Sequence, residues 1–186
     1  MEEIVLRPMQ LEDQEMVMAW RTMPQITKYM NTDSTSDIEQ QRAWFLKQQE
    51  EKRGYQWIIM RQGKPIGVTS ITEIDRVNGT CTRGTYVADE AERSFQMITD
   101  IYANQQEFVF GTLGLEKIWI HVFEENKYVV KLNKMCGFKQ TNILNDHVTK
   151  NGKSYNVVEL ELTKPDWEEK KKKWNYSKIE IIYEEN

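Results

Sequence analysis

The chain has little of what most specialised chemistries need. Only 2 cysteines and 2 histidines occur in 186 residues, and Cys81 and Cys136 stand at no ligand-like spacing, so no metal site is expected. Cys136, beside Gly137, reads as a small packed residue at a helix end, because a thiol nucleophile would need a base that its neighbours do not supply. A surplus of positive charge is also missing. With 25 Lys and Arg against 29 Asp and Glu, the net charge of -4 argues against a general nucleic-acid binder, which gains affinity by releasing phosphate counterions. There is no long apolar run, and the chain goes straight into Ile4-Val5-Leu6. Neither a membrane span nor a signal peptide is therefore expected, and the location should be cytoplasmic. Repeats, linkers and low-complexity segments are absent, and the length suits one domain with a sizeable core.

What is present is organised around residues 115–138. The first part alternates as a strand does, with Ile118, Ile120 and Val122 on one face and Trp119, His121 and Phe123 on the other. After Asn126 the period changes. Val129, Val130, Leu132 and Met135 recur at helical spacing and Gly137 comes next as a stop, which predicts strand, tight turn, helix and a new strand from Phe138.

The rest of the chain is read in the same way. A strand over 4–7 closes at Pro8, and Leu11, Met16, Val17 and Trp20 mark an amphipathic helix that ends before Pro24. The string from there to Met30 is expected to be a loop rich in aromatic and Met residues, either folded onto the core or forming a pocket wall. Ser36-Asp37-Ile38-Glu39 has capping-box spacing and predicts a second helix running to about Lys52. Strands are expected at 55–60, 65–75 and 80–87, joined by turns at Gln62-Gly63-Lys64 and Asn78-Gly79, with Asp75 a turn residue. Residues 93–113 form a helix, 146–153 a turn, and 155–162 the last core strand. The tail, 166–186, carries a charged helix with Trp167 and Trp174, then an apolar segment at 179–183 suited to an edge strand or a homodimer contact. Lys170 to Lys173, flanked by Glu168 and Glu169, reads as a solvated helix face.

The strand-Asn-helix-Gly-Phe unit, set in this order of elements, resembles the Gcn5-related N-acetyltransferases (GNAT) over about residues 1–165, with 166–186 as a C-terminal extension. The resemblance implies an α/β (α+β) fold: a mixed, mostly antiparallel sheet flanked by helices, its fourth and fifth strands splayed to admit acetyl-CoA as co-substrate. A main-chain N–H near Tyr86 or Val87 would polarise the thioester carbonyl. Asn126 and the helix after it would face the pantetheine arm and pyrophosphate. Arg93, Ser94, Gln96 and Met97, at the start of the preceding helix, would also meet the pyrophosphate, since helix N-termini attract anions. Two departures stand out. The segment 91–97 has no glycine, where the family usually has Gly-rich residues. Asn133, expected to meet the cofactor, also stands where many members have a proton-donating Tyr; an amide cannot act as an acid, though it can hydrogen-bond sulfur or hold a water, so water or a residue such as Tyr128 would have to supply the proton.

Glu124, at the end of the fifth strand, is either the general base acting through water or an exposed acid favoured by the helix dipole. His121 reads as a packed histidine on the helix-covered face. Within the family, Leu6-Arg7-Pro8, Trp20-Arg21, Lys28-Tyr29-Met30, Ile66-Gly67-Val68 and Gly84-Thr85-Tyr86-Val87 resemble the nucleotide-sugar N-acetyltransferases of pseudaminic acid biosynthesis, which act on a UDP-linked 4-amino-deoxysugar. That implies an apolar wall of Tyr29, Met30 and Trp44, with Arg21 at the diphosphate. The alternatives are a peptide N-terminal or ribosomal-protein acetyltransferase, a small-amine or antibiotic acetyltransferase, or a non-catalytic member that works through its surface.

Overall fold

The computed structural model describes residues 4–30, 37–52 and 54–184. One eight-stranded sheet runs through it in the order β6-β7-β5-β4-β3-β2-β1-β8. The strands are β1 (Ile4–Pro8), β2 (Tyr55–Arg61), β3 (Lys64–Asp75), β4 (Thr80–Val87), β5 (Lys117–Phe123), β6 (Lys139–Lys150), β7 (Lys153–Thr163) and β8 (Glu180–Ile181). Neighbours are antiparallel except at β4–β5 and β1–β8. Tight turns join the hairpins where the sequence supplies residues that tolerate positive φ, such as Gln62 (φ 50°) with Gly63 (φ 75°).

Helices cover both faces. On one, α4 (Phe95–Glu107), α5 (Lys127–Met135) and α6 (Lys164–Lys171) enclose the larger core, in which Ile59, Ile71, Ile118, Leu160 and Leu162 are fully buried. Each such side chain contributes roughly 1.5–3 kcal/mol of hydrophobic stabilisation. On the other, α1 (Gln14–Arg21) and α3 (Ile38–Glu51) pack Val17 and Phe45 over Ile58 and Met9. A buried hydrogen bond from Gln41 Nε2 to Gln14 Oε1 (2.9 Å) ties α3 to α1.

Several sequence expectations need correction. The expected loop at 20–30 contains a one-turn helix, α2 (Pro24–Thr27), because Pro24 is pre-set for a first helical position. The cap of α3 is Asp37, whose carboxylate accepts from the N–H groups of Glu39 and Gln40; Ser36 lies outside the described residues. The turn expected at 146–153 is confined to Asn151-Gly152, both at positive φ, while β6 continues past Asp146 through an irregular register. On α5, Val130 and Leu132 are buried but Met135 is exposed.

The tail returns to the domain. Trp167 is buried, and β8 pairs parallel with β1, so the apolar terminal segment closes an edge of its own sheet. Trp57 Nε1 donates to the Ile182 carbonyl (2.7 Å), and Asp100 accepts from Ser177 N (3.0 Å). Lys171 and Lys172 are paired with Glu168 and Glu169, the solvated face expected from their sequence. Among the described residues, no helix is long and apolar enough to cross a membrane.

Candidate active site

The central feature is the place where β4 and β5 part. Their parallel pairing covers Thr80↔Lys117, Cys81↔Ile118 and Thr82↔Trp119 and goes no further among the described residues. Yet β4 stays paired to β3 as far as Gly67↔Val87, and β5 stays paired to β7 as far as Phe123↔Val157. Each strand is thus held rigid from outside while its inner edge is open.

Ladder alternation identifies the main-chain groups on that open edge. Ala88 N donates to Ile66 O, so in β4 the residues in phase with Ala88, including Tyr86, turn their main-chain groups toward β3. The groups facing β5 belong to Thr85 and Val87. The expectation of an N–H near Tyr86 or Val87 is therefore narrowed to Val87. In β5, Glu124 N donates to Asn156 O, which leaves His121 and Phe123 facing the gap.

The two helices after these strands begin beside the opening. Ser94 caps α4 by accepting from Met97 N (3.1 Å), while the N–H groups of Phe95 and Gln96 have no partner among the described residues. This is a usable anion cradle without any glycine, since it needs only main-chain donors at a helix start. The side chains expected there do other work. Arg93 donates through Nε and Nη2 to the Val87 carbonyl (3.1 and 2.9 Å) and so clamps the end of β4. Gln96 bonds Asp100 (2.8 Å), and Met97 is buried in the core. The nearby Glu92 carboxylate is neutralised by Arg61 and Lys64 (2.9 and 3.1 Å). Asn126 caps α5, accepting from Val129 N at 3.4 Å.

Asn133 does not present its amide to the gap. It is 1% exposed, donates to Val129 O (2.9 Å), and accepts from Arg83 Nη2 (2.5 Å). Arg83 is a buried cation that the sequence reading passed over. A signal for it existed: Cys81, Arg83, Thr85 and Val87 share the face of β4 that turns to the core, so a cation occupies a core position. Tyr128, the suggested alternative acid, is 65% exposed.

On the opposite face, Tyr86 buries a hydroxyl that has no partner among the described residues, and burial raises its pKa while Arg21 opposes the shift. Tyr29 reaches the end of β5, its ring 6.4 Å from Phe123, which in turn lies 5.3 Å from Tyr155. The segment carrying Tyr29 and Met30 is anchored by Lys150, which donates to the carbonyls of Thr27 and Met30. Trp44 is not brought to this wall: it sits on α3, 42% exposed, with no ring contact to Tyr29. A cleft of about 720 Å³ lies nearby, lined by Trp20, Met23, Ile66, Ala88 and Asp89 among others.

Glu124 stands at the mouth of the gap. Hydrogen bonds from Asn156 (3.1 Å) and Lys127 (3.3 Å) hold its carboxylate below the usual range, which keeps it ionised but weakly basic. His121 is on the face away from α4 and α5, partly exposed and 3.2 Å from Glu159, so it is not packed beneath those two helices. Both thiols are buried, which pushes Cys81 up to about 12 and Cys136 to about 11. Among the described residues no cluster of three or more His, Cys, Asp or Glu has metal-ligand geometry.

Comparison with known proteins gives a consistent result. Residues 3–139 match the family model described as Acetyltransferase (GNAT) domain. Uncharacterized N-acetyltransferase p20 of Bacillus licheniformis is 25% identical over 171 residues, which is 89% of this chain and 96% of that protein. Uncharacterized N-acetyltransferase YoaA of Bacillus subtilis (strain 168) is 24% identical over 169 residues, 88% of this chain and 95% of its own. Among solved structures, spermidine N-acetyltransferase from Vibrio cholerae in complex with CoA and spermine superimposes with a TM-score of 0.82 at 17% identity, covering 89% of this chain and 98% of that one. A dodecameric structure of the Vibrio cholerae enzyme matches at TM-score 0.76 and 16% identity, over 89% of this chain and 96% of that chain. At these identities the structural likeness establishes the fold alone.

Proposed function

This chain belongs to the GNAT acetyltransferase family, and from that premise we propose that it transfers the acetyl group of acetyl-CoA to the primary amine of a small acceptor. The observation that carries the reading is the parting of β4 from β5 beyond Thr82↔Trp119, beside a helix start with unpaired N–H groups. The open edges offer main-chain donors and acceptors to an extended amide-bearing arm, and the α4 N-terminus offers an anion site for a diphosphate. Acetyl-CoA supplies an activated acyl group with a thiolate leaving group. The protein's part is to hold that arm straight, to place Val87 N–H against the developing oxyanion, and to keep the acceptor nitrogen within reach.

The acceptor enters from the face that carries Tyr29, Arg21 and Tyr86. The ring faces of Tyr29 and Tyr155 already carry the ammonium groups of Lys28 (4.8 Å) and Lys153 (4.6 Å). With Glu124 and Glu125 at the end of β5 they form surroundings that accept ammonium groups, as an aliphatic amine arriving as a cation would require in exchange for those lysines. The spermidine acetyltransferase likeness is consistent with that class. A nucleotide-sugar acceptor is the second reading, and it keeps one favourable observation: Arg21 lies close enough to Tyr86 to influence its phenol, so a guanidinium does face this side. Trp44 makes no ring contact with Tyr29, so the apolar wall that this second reading requires rests on Tyr29 and Met30.

Release of free thiol from acetyl-CoA, measured with polyamines, UDP-linked amino sugars and peptides, tests the proposal. Turnover with a polyamine or another small amine is expected. Turnover confined to the amino-sugar nucleotides would replace the first reading by the second, and absence of acetyl-CoA binding in calorimetry would remove both. Homo-oligomer formation, suggested by the dodecameric neighbour, is read by light scattering.

A further inference from the structure

We propose that Lys150 is a positioning residue for the acceptor, holding the segment that carries Tyr29 and Met30 at the end of β5; the inference rests on the acetyltransferase reading above. Lys150 is the last residue of β6 and pairs with Lys153 across the Asn151-Gly152 turn. It is 8% exposed, and its Nζ donates to the carbonyls of Thr27 and Met30, the second at 3.1 Å. Those partners lie 123 and 120 residues away in the chain, so the contact ties the β6–β7 hairpin to the far end of α2.

The chemistry of that end calls for such a donor. A one-turn helix has little stability of its own, and the last carbonyls of any helix lack partners within it. Met30 N donates back to Thr27 O (3.1 Å), so both carbonyls that Lys150 grips belong to one tight turn. A lysine reaching them supplies hydrogen bonds and meets the negative end of the helix dipole. From the other side the segment is held by buried Ile26 and by the Thr27 hydroxyl, which donates to Arg21 O.

The same hairpin reaches the mouth of the gap. Tyr155 on β7 has its ring 5.3 Å from Phe123, the last residue of β5, and Phe123 lies 6.4 Å from the ring of Tyr29. Contacts therefore run in a closed circuit from Lys150 to Met30, from Tyr29 to Phe123 and Tyr155, and along β7 back to the turn. An acceptor wall ordered before the acceptor arrives lowers the entropy cost of binding it and of aligning its nitrogen. Lys150 acts through Tyr29 and Met30. The coenzyme groups belong elsewhere, at the open edges of β4 and β5 and the start of α4, so its loss is expected to be felt by the acceptor and not by acetyl-CoA.

The test is Lys150→Met, which keeps an unbranched stem and removes the donors, with spermidine as probe amine, or the UDP-linked amino sugar if only that turns over. Acceptor KM should rise about tenfold, the size of one hydrogen bond to a charged group, with kcat and acetyl-CoA affinity by calorimetry little changed. Hydrogen exchange at the amides of 26–30 should quicken while that of 80–87 does not. Lys150→Arg should recover most of the KM. A residue that serves only stability would lower the amount of active protein, hence apparent kcat, and leave KM where it was. Unchanged KM or unchanged exchange at 26–30 overturns the role of Lys150 and leaves the acetyltransferase reading intact. Failure of the wild-type chain to bind acetyl-CoA, or to turn over either probe, overturns both. Should Lys150→Met not fold, wild-type exchange still decides: amides of 26–30 exchanging as fast as unstructured chain would overturn the tie.

Discussion

The two edges of β4 are made of the same residues and do opposite things. Toward β3 the strand is zipped from Asp75↔Thr80 to Gly67↔Val87, with Gly67 so close to β4 that an added Cβ would lie 2.2 Å from the Tyr86 carbonyl oxygen. Toward β5 it is zipped only as far as Thr82. The closed edge supplies the rigidity that the open edge needs, because an unpaired strand supported on neither side would collapse onto its neighbour or fray. Arg93, whose guanidinium grips the Val87 carbonyl, fixes the free end of the same strand.

The comparison is broken most directly from its closed side. Gly67→Ala should lower stability by about 1–3 kcal/mol, because the new methyl meets backbone that cannot swing away, and urea unfolding reads the loss. An unchanged midpoint would mean that the two strands are less tightly joined than their register indicates. On the open side, Asn126→Ala removes the cap of α5 and should cost about 0.5–2 kcal/mol together with a measurable drop in acetyl-CoA affinity. If only stability changes, Asn126 is a cap and nothing more.

Glu124→Gln sharpens the comparison at the mouth. Its carboxylate is held below the ordinary range by Asn156 and Lys127, so it is already deprotonated throughout the neutral region. A base so far from the operating pH contributes little, and the rate should fall by less than about tenfold. The acid limb of the profile should not move, since protonation of the acceptor amine sets it. A limb displaced by the substitution would return Glu124 to the role of titrating base. The smallest effect is expected at Trp44→Ala: with the ring 42% exposed and making no ring contact with Tyr29, acceptor KM should be unchanged. A raised KM would put α3 back into the acceptor wall.

Local pattern made much of this legible. The alternation of Ile118, Ile120 and Val122, the turn at Asn126 and the stop at Gly137 (φ 102°) lie where the sequence puts them. Asp75 accepts from the N–H groups of Val77 and Asn78, the turn role expected of it. The errors were also local in part. Asn151-Gly152 is as strong a hairpin signal as Asn78-Gly79, and the cap of α3 is Asp37 although Ser36 satisfied the same spacing. Others were not recoverable from spacing: that Asn133 holds Arg83, that Lys150 grips the end of α2, and that Arg93 bonds the end of β4 are contacts between elements distant in sequence or folded back upon each other.

By itself, then, the sequence determined the elements and their order, because helix and strand periods, caps and turns depend on residues within a few positions of one another. It also carried enough motif to place the chain in its family. Only the tertiary structure decided where β4 and β5 separate, which main-chain groups that separation exposes, and that a lone guanidinium is buried at the fork. Those are properties of strand pairing and desolvation, set by the partners each residue meets across the sheet and not by its neighbours along the chain.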